Sequence, residues 1–241
     1  TAIGMEALLT ATTADSNTAV GREALKANTS GTNNVAVGRD ALQVNTTGSE
    51  NVAVGVDCLD SNTTASYNTG VGYNVLEATT TGGSNTAMGR YALAANTTGD
   101  NNVAIGFNNM IANTTGSQSV AIGAGALDVA TTANANTAVG YQALTANTSG
   151  EYNVAVGGDA LAANTTASNN VAIGKNAMLV STTGANNVAI GRDALGANTT
   201  GASLTAVGHE SLDANTTGDS NTAIGKNALT ANTTASNNTA V

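Results

Sequence analysis

The chain has 241 residues and a net charge of −9, and it contains no Pro, no Trp, one Cys and one His. Seven Lys and Arg residues are too few for the basic surface of a nucleic-acid-binding domain, which excludes DNA and RNA as partners. The sequence has no apolar run long enough to insert into a membrane, and a single Cys cannot form an intrachain disulfide.

One short phrase recurs along the whole chain, and its first copies are Ala2–Gly4, Ala19–Gly21 and Ala36–Gly38. Its Gly returns every 17 residues, fourteen times, with no insertion or deletion. Written from the Asn pair, the unit reads N-N-[VT]-A-[VI]-G-x-[DEN]-A-L-x-A-N-T-T-G-x, and position numbers below refer to this unit. Such a period predicts stacked coils that share one interior, because a single coil cannot bury its apolar side chains alone.

The copy at residues 33–49 serves as the example. It opens with a strand signal in which Val35 and Val37 are expected on one face and Ala36 on the other. Gly38 follows as a turn residue that tolerates a positive φ. The absence of Pro agrees with a continuous ladder, which needs nearly every backbone N–H.

Residues 40–44 predict a second short strand, with Leu42 and Val44 on a shared face, and residues 45–48 have turn chemistry. A helical turn at residues 40–44 is the alternative, but strand-and-helix repeats need about 20–29 residues per unit. We therefore expect an all-β fold, a parallel β-solenoid or β-roll of 14 coils of 17 residues.

The interior is expected to be thin, with two large apolar side chains per coil, such as Val37 and Leu42. Leu25, Leu42 and Leu93 should lie in a single column, and Asn at position 2 should form an amide ladder along the axis. The near-invariant Ala at position 4 predicts close approach by a second or third chain. The alternative is a tight fit inside one coil.

Three phrases carry a likeness to known repeats: residues 34–38, 170–174 and 187–191, each of the form N-V-A-[VI]-G. They resemble the head repeats of trimeric autotransporter adhesins of the YadA type. The longer phrase at residues 136–150 is similar to repeats of phage tail fibres and related surface proteins. The adhesin resemblance implies a left-handed parallel β-roll in a homotrimer, although the adhesin unit is shorter, near 14 residues. We expect residues 1–241 to be a single repetitive segment of a longer protein.

The residues offer little for catalysis. His209 stands at the variable position 7 and is expected on the surface, and Cys58 replaces the usual Ala at position 9 as buried filler. No nucleophile, base and orienting group can be assembled from these parts, so no enzyme activity is expected. Nor do the acids follow a calcium-binding repeat. We therefore expect no catalytic residues, no cofactor and no metal site.

Charged side chains are nonetheless arranged by position. Six of the seven cations occupy position 7, and seven of the sixteen acids occupy position 8, so adjacent coils are expected to pair them across the Gly corner. Glycosylation sequons recur at position 13, but acceptors about 5 Å apart leave no room for a sugar on every coil. We interpret these Asn residues as turn residues.

Positions 14 and 15 form two columns of Thr, with occasional Ser at position 15. Ice-binding solenoids use a flat outward array of Thr, so ice binding is the competing hypothesis. Adjacent residues in a strand face opposite ways. One Thr is therefore expected to bond inside the turn while the other meets solvent.

The leading hypothesis is a non-enzymatic structural or adhesive fibre segment outside the cell, on a virion or a bacterial surface. The chain itself is the expected partner, as a homotrimer or an end-to-end filament, together with a cell-surface receptor or glycan. Variation at position 7 on a rigid rod would tune the surface without disturbing the core. The candidate contact residues are Tyr73, Arg90, Phe107, Tyr141, Arg192 and His209.

Overall fold

The structure is a computed structural model that describes residues 1–241. It is all-β, as predicted, with fifteen parallel strands in a β-solenoid of about fourteen turns and no helix. No helix is therefore present that could cross a membrane. The residues form two compact units, Thr1–Gln118 with β1 to β7 and Ser119–Val241 with β8 to β15.

Each turn contributes one very short strand, and the steps between strands follow the 17-residue period. The strands are β1 Ala2–Ile3, β2 Thr18–Val20, β3 Val35–Val37, β4 Val52–Val54, β5 Thr69–Val71, β6 Thr86–Met88, β7 Val103–Ile105, β8 Val120–Ile122, β9 Thr137–Val139, β10 Val154–Val156, β11 Val171–Ile173, β12 Val188–Ile190, β13 Thr205–Val207, β14 Thr222–Ile224 and β15 Thr239–Ala240.

Within each unit, every residue of a strand lies beside the residue 17 places later. Ala36 pairs with Ala53, for example, and Ala172 pairs with Ala189. The hydrogen bonds continue outside the strands, where the N–H of Asp40 donates to the carbonyl of Arg22 (2.9 Å) and that of Leu42 to the carbonyl of Cys58 (3.0 Å). Because the ladder runs through the corners as well, a Pro would remove an inter-coil bond at most positions.

The second strand predicted at residues 40–44 is wrong, because this segment is a series of turns. Asp40 and Leu42 adopt left-handed backbone conformations, with φ of 58° and 52°, and the same positions do so throughout both units. Alternation of side chains requires extended backbone, so it is lost here. Adjacent Ala41 and Leu42 both point inward with no exposed surface, whereas Val44 is 36% exposed.

Val35 and Val37 share one face of the strand and Ala36 has the other, as predicted, but the expectation that Val37 fills the interior is wrong. Ala36 lies in the interior with no exposed surface, and Val35 and Val37 on either side of it are only half-buried. The near-invariant Ala is thus explained by a tight fit inside one coil, not by a second chain. A larger side chain at position 4 would overfill this interior.

Other expectations for the interior are confirmed. Leu25, Leu42 and Leu93 are completely buried, and the Asn ladder at position 2 is present. The backbone N–H of Asn51 donates to Oδ1 of Asn34 (3.0 Å), and Asn51 Nδ2 donates to the carbonyl of Ala65 (2.9 Å).

A second Asn ladder runs along position 13, which the sequence analysis interpreted only as a turn. Asn45 is completely buried, and its Nδ2 donates to Oδ1 of Asn28 (2.9 Å) and to the carbonyl of Gly48 (3.0 Å). The sequons therefore place their Asn inside the coil, where a glycan cannot be accommodated.

Thr79, Ala130 and Ser181 replace Asn in the buried part of the position 13 ladder, and the two hydroxyl residues leave buried polar atoms unpaired. Thr79 and Ser181 are completely buried, and neither hydroxyl has a hydrogen-bond partner. Oδ1 of Asn62 and Oδ1 of Asn164, one coil earlier in each case, also lack partners. An unpaired buried polar group costs about 1–3 kcal/mol, so each interruption is a local weak point.

We predict that Ser181→Asn stabilises the protein by about 1–3 kcal/mol, because the new amide donates to Asn164 Oδ1 and accepts from Asn198 Nδ2. Asn45→Ser is the matched control, since Asn45 bonds to Asn28 and Asn62 in an intact stretch, so the same interruption should be destabilising there. Thermal and denaturant midpoints of the two variants measure both effects. A lower midpoint for Ser181→Asn would show that the ladder does not stabilise the coil.

Three neighbouring residues depart from the repeat consensus in ways that together keep the volume of the interior constant. Cys58 and Val75 are larger than the usual Ala at position 9, and Gly70 between them is smaller than the usual Ala at position 4. A Cβ on Gly70 would lie 2.6 Å from Cys58 Sγ and 3.4 Å from Val75 Cγ1. The missing methyl group thus makes room for the thiol, and Cys58 is buried filler as expected.

Gly70→Ala should therefore destabilise the protein by about 1–3 kcal/mol through overpacking. In the Cys58→Ala background the same substitution should be tolerated, because the contacting sulfur is gone. A double-mutant cycle on denaturation midpoints measures this coupling. Additive effects of the two substitutions would contradict the volume argument.

Candidate functional site

The outward face of each unit's sheet carries an apolar stripe. It consists of the position 3 and position 5 side chains, and we call it the outward stripe. Position 3 is Val or Thr and is half-buried, while the larger position 5 residues are more exposed: Met88 42%, Ile105 37%, Ile122 37%, Ile173 39%, Ile190 38% and Ile224 42%. Seven strands of three residues, β8 to β14, present a face of about 340 Å² at ordinary strand dimensions. Three of the seven position 3 residues in this face are Thr, and a patch of this size is within the range of the largest patch on an ordinary monomer, which is often functional.

Charges at the two ends of the strand differ. The end that follows the strand, position 7, carries the cations Arg22, Arg39, Arg90, Lys175, Arg192 and Lys226. Positions 17 and 1, just before the strand, carry no cation and five acids: Asp15, Glu50, Asp100, Glu151 and Asp219. The outward stripe is therefore bordered by acids alone on one side, and on the other by cations at position 7 followed by acids at position 8.

Pairing of charges across the Gly corner is confirmed for three arginines. Each contacts the position 8 acid of the following coil: Arg22 to Asp40 (3.4 Å), Arg39 to Asp57 (2.9 Å) and Arg192 to Glu210 (3.7 Å). The guanidinium groups are about half exposed, so water and salt screen these contacts. They mark the corner as a solvated rim.

Three of the predicted contact residues, Tyr73, Arg90 and Phe107, occupy position 7 of successive coils and come together in the first unit. Tyr91 at position 8 joins them, and its ring packs edge-on against that of Tyr73 with centroids 5.6 Å apart. We call these four residues the aromatic patch. The sequence analysis considered position 7 alone and missed Tyr91, although its place beside Arg90 in the same corner was a usable signal.

The other three predicted contact residues lie in the second unit and do not form one site. Tyr141 is 60% exposed, with the small residues Ala124 and Gly158 at position 7 of the adjacent coils. Arg192 and His209 lie side by side, and the Arg192 guanidinium contacts Nε2 of the imidazole. His209 is half-buried, so it is less exposed than expected.

His209 also belongs to a cluster of possible metal ligands with Asp193 and Glu210, whose ligand atoms lie within 4.8 Å of one another. The Arg192 guanidinium contacts all three side chains, with Asp193 at 3.3 Å and Glu210 at 3.7 Å. A cation is thus already present where a metal ion would bind, and we assign no metal site here.

The two Thr columns behave differently from each other. Hydroxyls at position 14 donate to the backbone carbonyl of the next coil, as Thr46 Oγ1 does to Thr63 (2.9 Å) and Thr199 Oγ1 does to Thr216 (2.9 Å). Position 15 is exposed throughout. The division expected from the sequence is therefore present. Ice binding remains a hypothesis that would depend on the position 15 column.

Acids at position 11 are partly buried on the corner next to position 8. Burial, with the nearby carboxylates of Asp57, Asp40 and Glu77, raises the pKa of Asp60 to about 6. Burial likewise raises the pKa of Asp128 and of Asp213. Burial raises the pKa of the Cys58 thiol to about 12, so this thiol is protonated and unreactive at neutral pH.

The raised pKa of Asp60 predicts that acid stabilises this corner. Between about pH 4 and pH 6 the folded state holds a proton that the unfolded state releases, so stability rises as the pH falls from 7 to 4. Asp60→Asn should raise the thermal midpoint at pH 7.5 and change it little at pH 4. Asp159→Asn, at position 8 of the second unit, controls for the loss of one negative charge. An equal shift of the Asp60→Asn midpoint at both pH values would contradict this assignment.

Comparison with family models, with curated proteins and with solved structures finds no match to this chain.

Proposed function

We propose that this chain is a non-enzymatic structural and adhesive fibre segment that acts outside the cell, on a virion or a bacterial surface, and that assembles with copies of itself. The outward stripe is the observation that carries this proposal. An apolar face that runs along every strand of a unit is stabilised when another surface removes it from water. The resemblance to adhesin heads and tail fibres points to the same class.

A second copy of this chain is the occupant that fits the stripe. Each coil presents two outward side chains, Val or Thr at position 3 and Val, Ile or Met at position 5, about 4.8 Å above those of the previous coil. Another copy has the same period, so its side chains interdigitate along the full length of the contact. A partner without this period would match only a few coils.

Charge at the borders of the stripe favours assembly with parallel solenoid axes. When two such faces meet with parallel axes, the start of each strand lies over the end of a strand in the partner. The acids of positions 17 and 1 then approach the cations of position 7. With antiparallel axes these acids would face one another, which is unfavourable. A homotrimer with parallel axes is our first choice, and a filament of stacked copies is the alternative.

Replacing both Ile173 and Ile190 by Lys should weaken self-association about a hundredfold or more, since two charges would be buried against an apolar face. The solenoid should remain folded, because these side chains point away from the interior. Sedimentation equilibrium and native mass spectrometry measure the association, and circular dichroism monitors the fold.

The matched control is the pair Thr183→Lys and Thr200→Lys, which adds the same charges to the exposed position 15 of the same two coils. This variant should associate like the wild type. A wild-type protein that is monomeric at high micromolar concentration would refute self-association. Unchanged association of the Ile173 and Ile190 variant would show that the outward stripe is not the contact.

A further inference from the structure

The aromatic patch concentrates a scarce residue type. The chain has five Tyr and one Phe in 241 residues, and three of these six, Tyr73, Tyr91 and Phe107, lie in three successive coils around Arg90. Backbone hydrogen bonds hold the coils in register, from Tyr91 N to the Tyr73 carbonyl (3.1 Å) and from Asn108 N to the Arg90 carbonyl (3.1 Å). The patch is therefore a rigid surface about three coils long.

The Arg90 guanidinium is held in place by the two tyrosines. Its central carbon lies 4.6 Å from the Tyr91 ring centroid and 5.9 Å from that of Tyr73, and one of its terminal nitrogens donates to the Tyr91 hydroxyl (3.2 Å). These contacts orient the group without neutralising its charge. Tyr73 and Phe107, on the coils to either side, remain 45% and 50% exposed.

Arg90 differs from the paired arginines of the same column. Arg22, Arg39 and Arg192 each contact an acid at position 8 of the next coil. After Arg90 that position is Asn108, and no carboxylate lies within ion-pair distance of the guanidinium. Its charge and its remaining N–H groups are thus open to a ligand, between two exposed rings.

We propose that the aromatic patch binds a polysaccharide that carries carboxylate groups, such as a chain of uronic acids. The apolar C–H face of a sugar ring stacks on an aromatic side chain, and Tyr73 and Phe107 offer two such faces along the solenoid axis. Between them, the guanidinium of Arg90 accepts a carboxylate in a two-pronged, charge-assisted contact. An extended glycan lying along the axis satisfies both requirements.

This inference deepens the proposed adhesive role and rests on it, because it names the ligand class of the fibre surface. A neutral glycan would leave the guanidinium unpaired. A simple anion would leave the rings unused. The exposed rings together with the guanidinium therefore select a ligand that has both an apolar ring face and an acid. The surrounding coils carry few charges, so Arg90 is the group that selects the acid.

Isothermal titration calorimetry with a pentamer of 1,4-linked glucuronic acid tests the proposal, with cellopentaose as the neutral glycan of matched linkage. The wild type should bind the acidic pentamer at least about tenfold more tightly, and added salt should reduce this preference. Arg90→Gln should abolish the preference. Phe107→Ala should weaken binding of both glycans, and Arg192→Gln, which removes a paired arginine of the second unit, should change neither.

Equal affinity of the wild type for the two pentamers, or no binding of either, would overturn the proposal. Each chain carries a whole patch, at the corner that borders the outward stripe, so sedimentation is measured beside the titration to separate glycan binding from self-association. Sedimentation of the Phe107 variant should match that of the wild type, and the Arg90 variant should lose far less association than the Ile173 and Ile190 variant. Failure of glycan binding with normal assembly refutes only this inference, whereas a monomeric wild type that binds the acidic pentamer refutes only the assembly.

Discussion

The inter-coil backbone ladder is the constraint on which the rest of this structure depends. It runs through the strands and through the corners, so each coil must follow the path of the one below it. A coil with one residue more or fewer would break many hydrogen bonds at once, which explains the constant 17-residue period and the absence of Pro. Left-handed residues at positions 1, 8 and 10 are maintained in spite of their steric cost because they keep this path.

The same backbone path decides which side chains are inside. Left-handed conformations at positions 8 and 10 turn neighbouring residues such as Ala41 and Leu42 inward together, and the space that remains beside the strand admits only Ala. Two buried Asn ladders fill the interior between them. At position 13 each Oδ1 is satisfied only when the next coil supplies an Asn, whereas at position 2 it accepts from the backbone N–H of the next coil. The interior is thus a set of columns, and Thr79 and Ser181 show that one residue weakens a column locally.

An interior this narrow leaves the larger β-branched residues on the surface. The outward stripe is consequently regular and apolar, which favours a partner of the same period, whereas the corners are free to vary because their side chains do not enter a column. Our two proposals use different parts of the coil, the outward stripe for assembly and the corner at position 7 for ligand binding. Position 7 carries ion pairs in some coils and, around Arg90, an aromatic patch.

The sequence by itself determined the architecture, because a 17-residue period without insertions permits only coils stacked in register. It also indicated the Leu column, the first Asn ladder and the charge pairs at the Gly corner, since each of these depends only on equivalent residues lying above one another. Only the tertiary structure decided that Ala36 points inward and Val37 outward, that Asn45 is buried, and that Tyr91 completes the aromatic patch. These features depend on φ at individual turn residues, and several residue types adopt the left-handed conformation here without any signal in the repeat pattern.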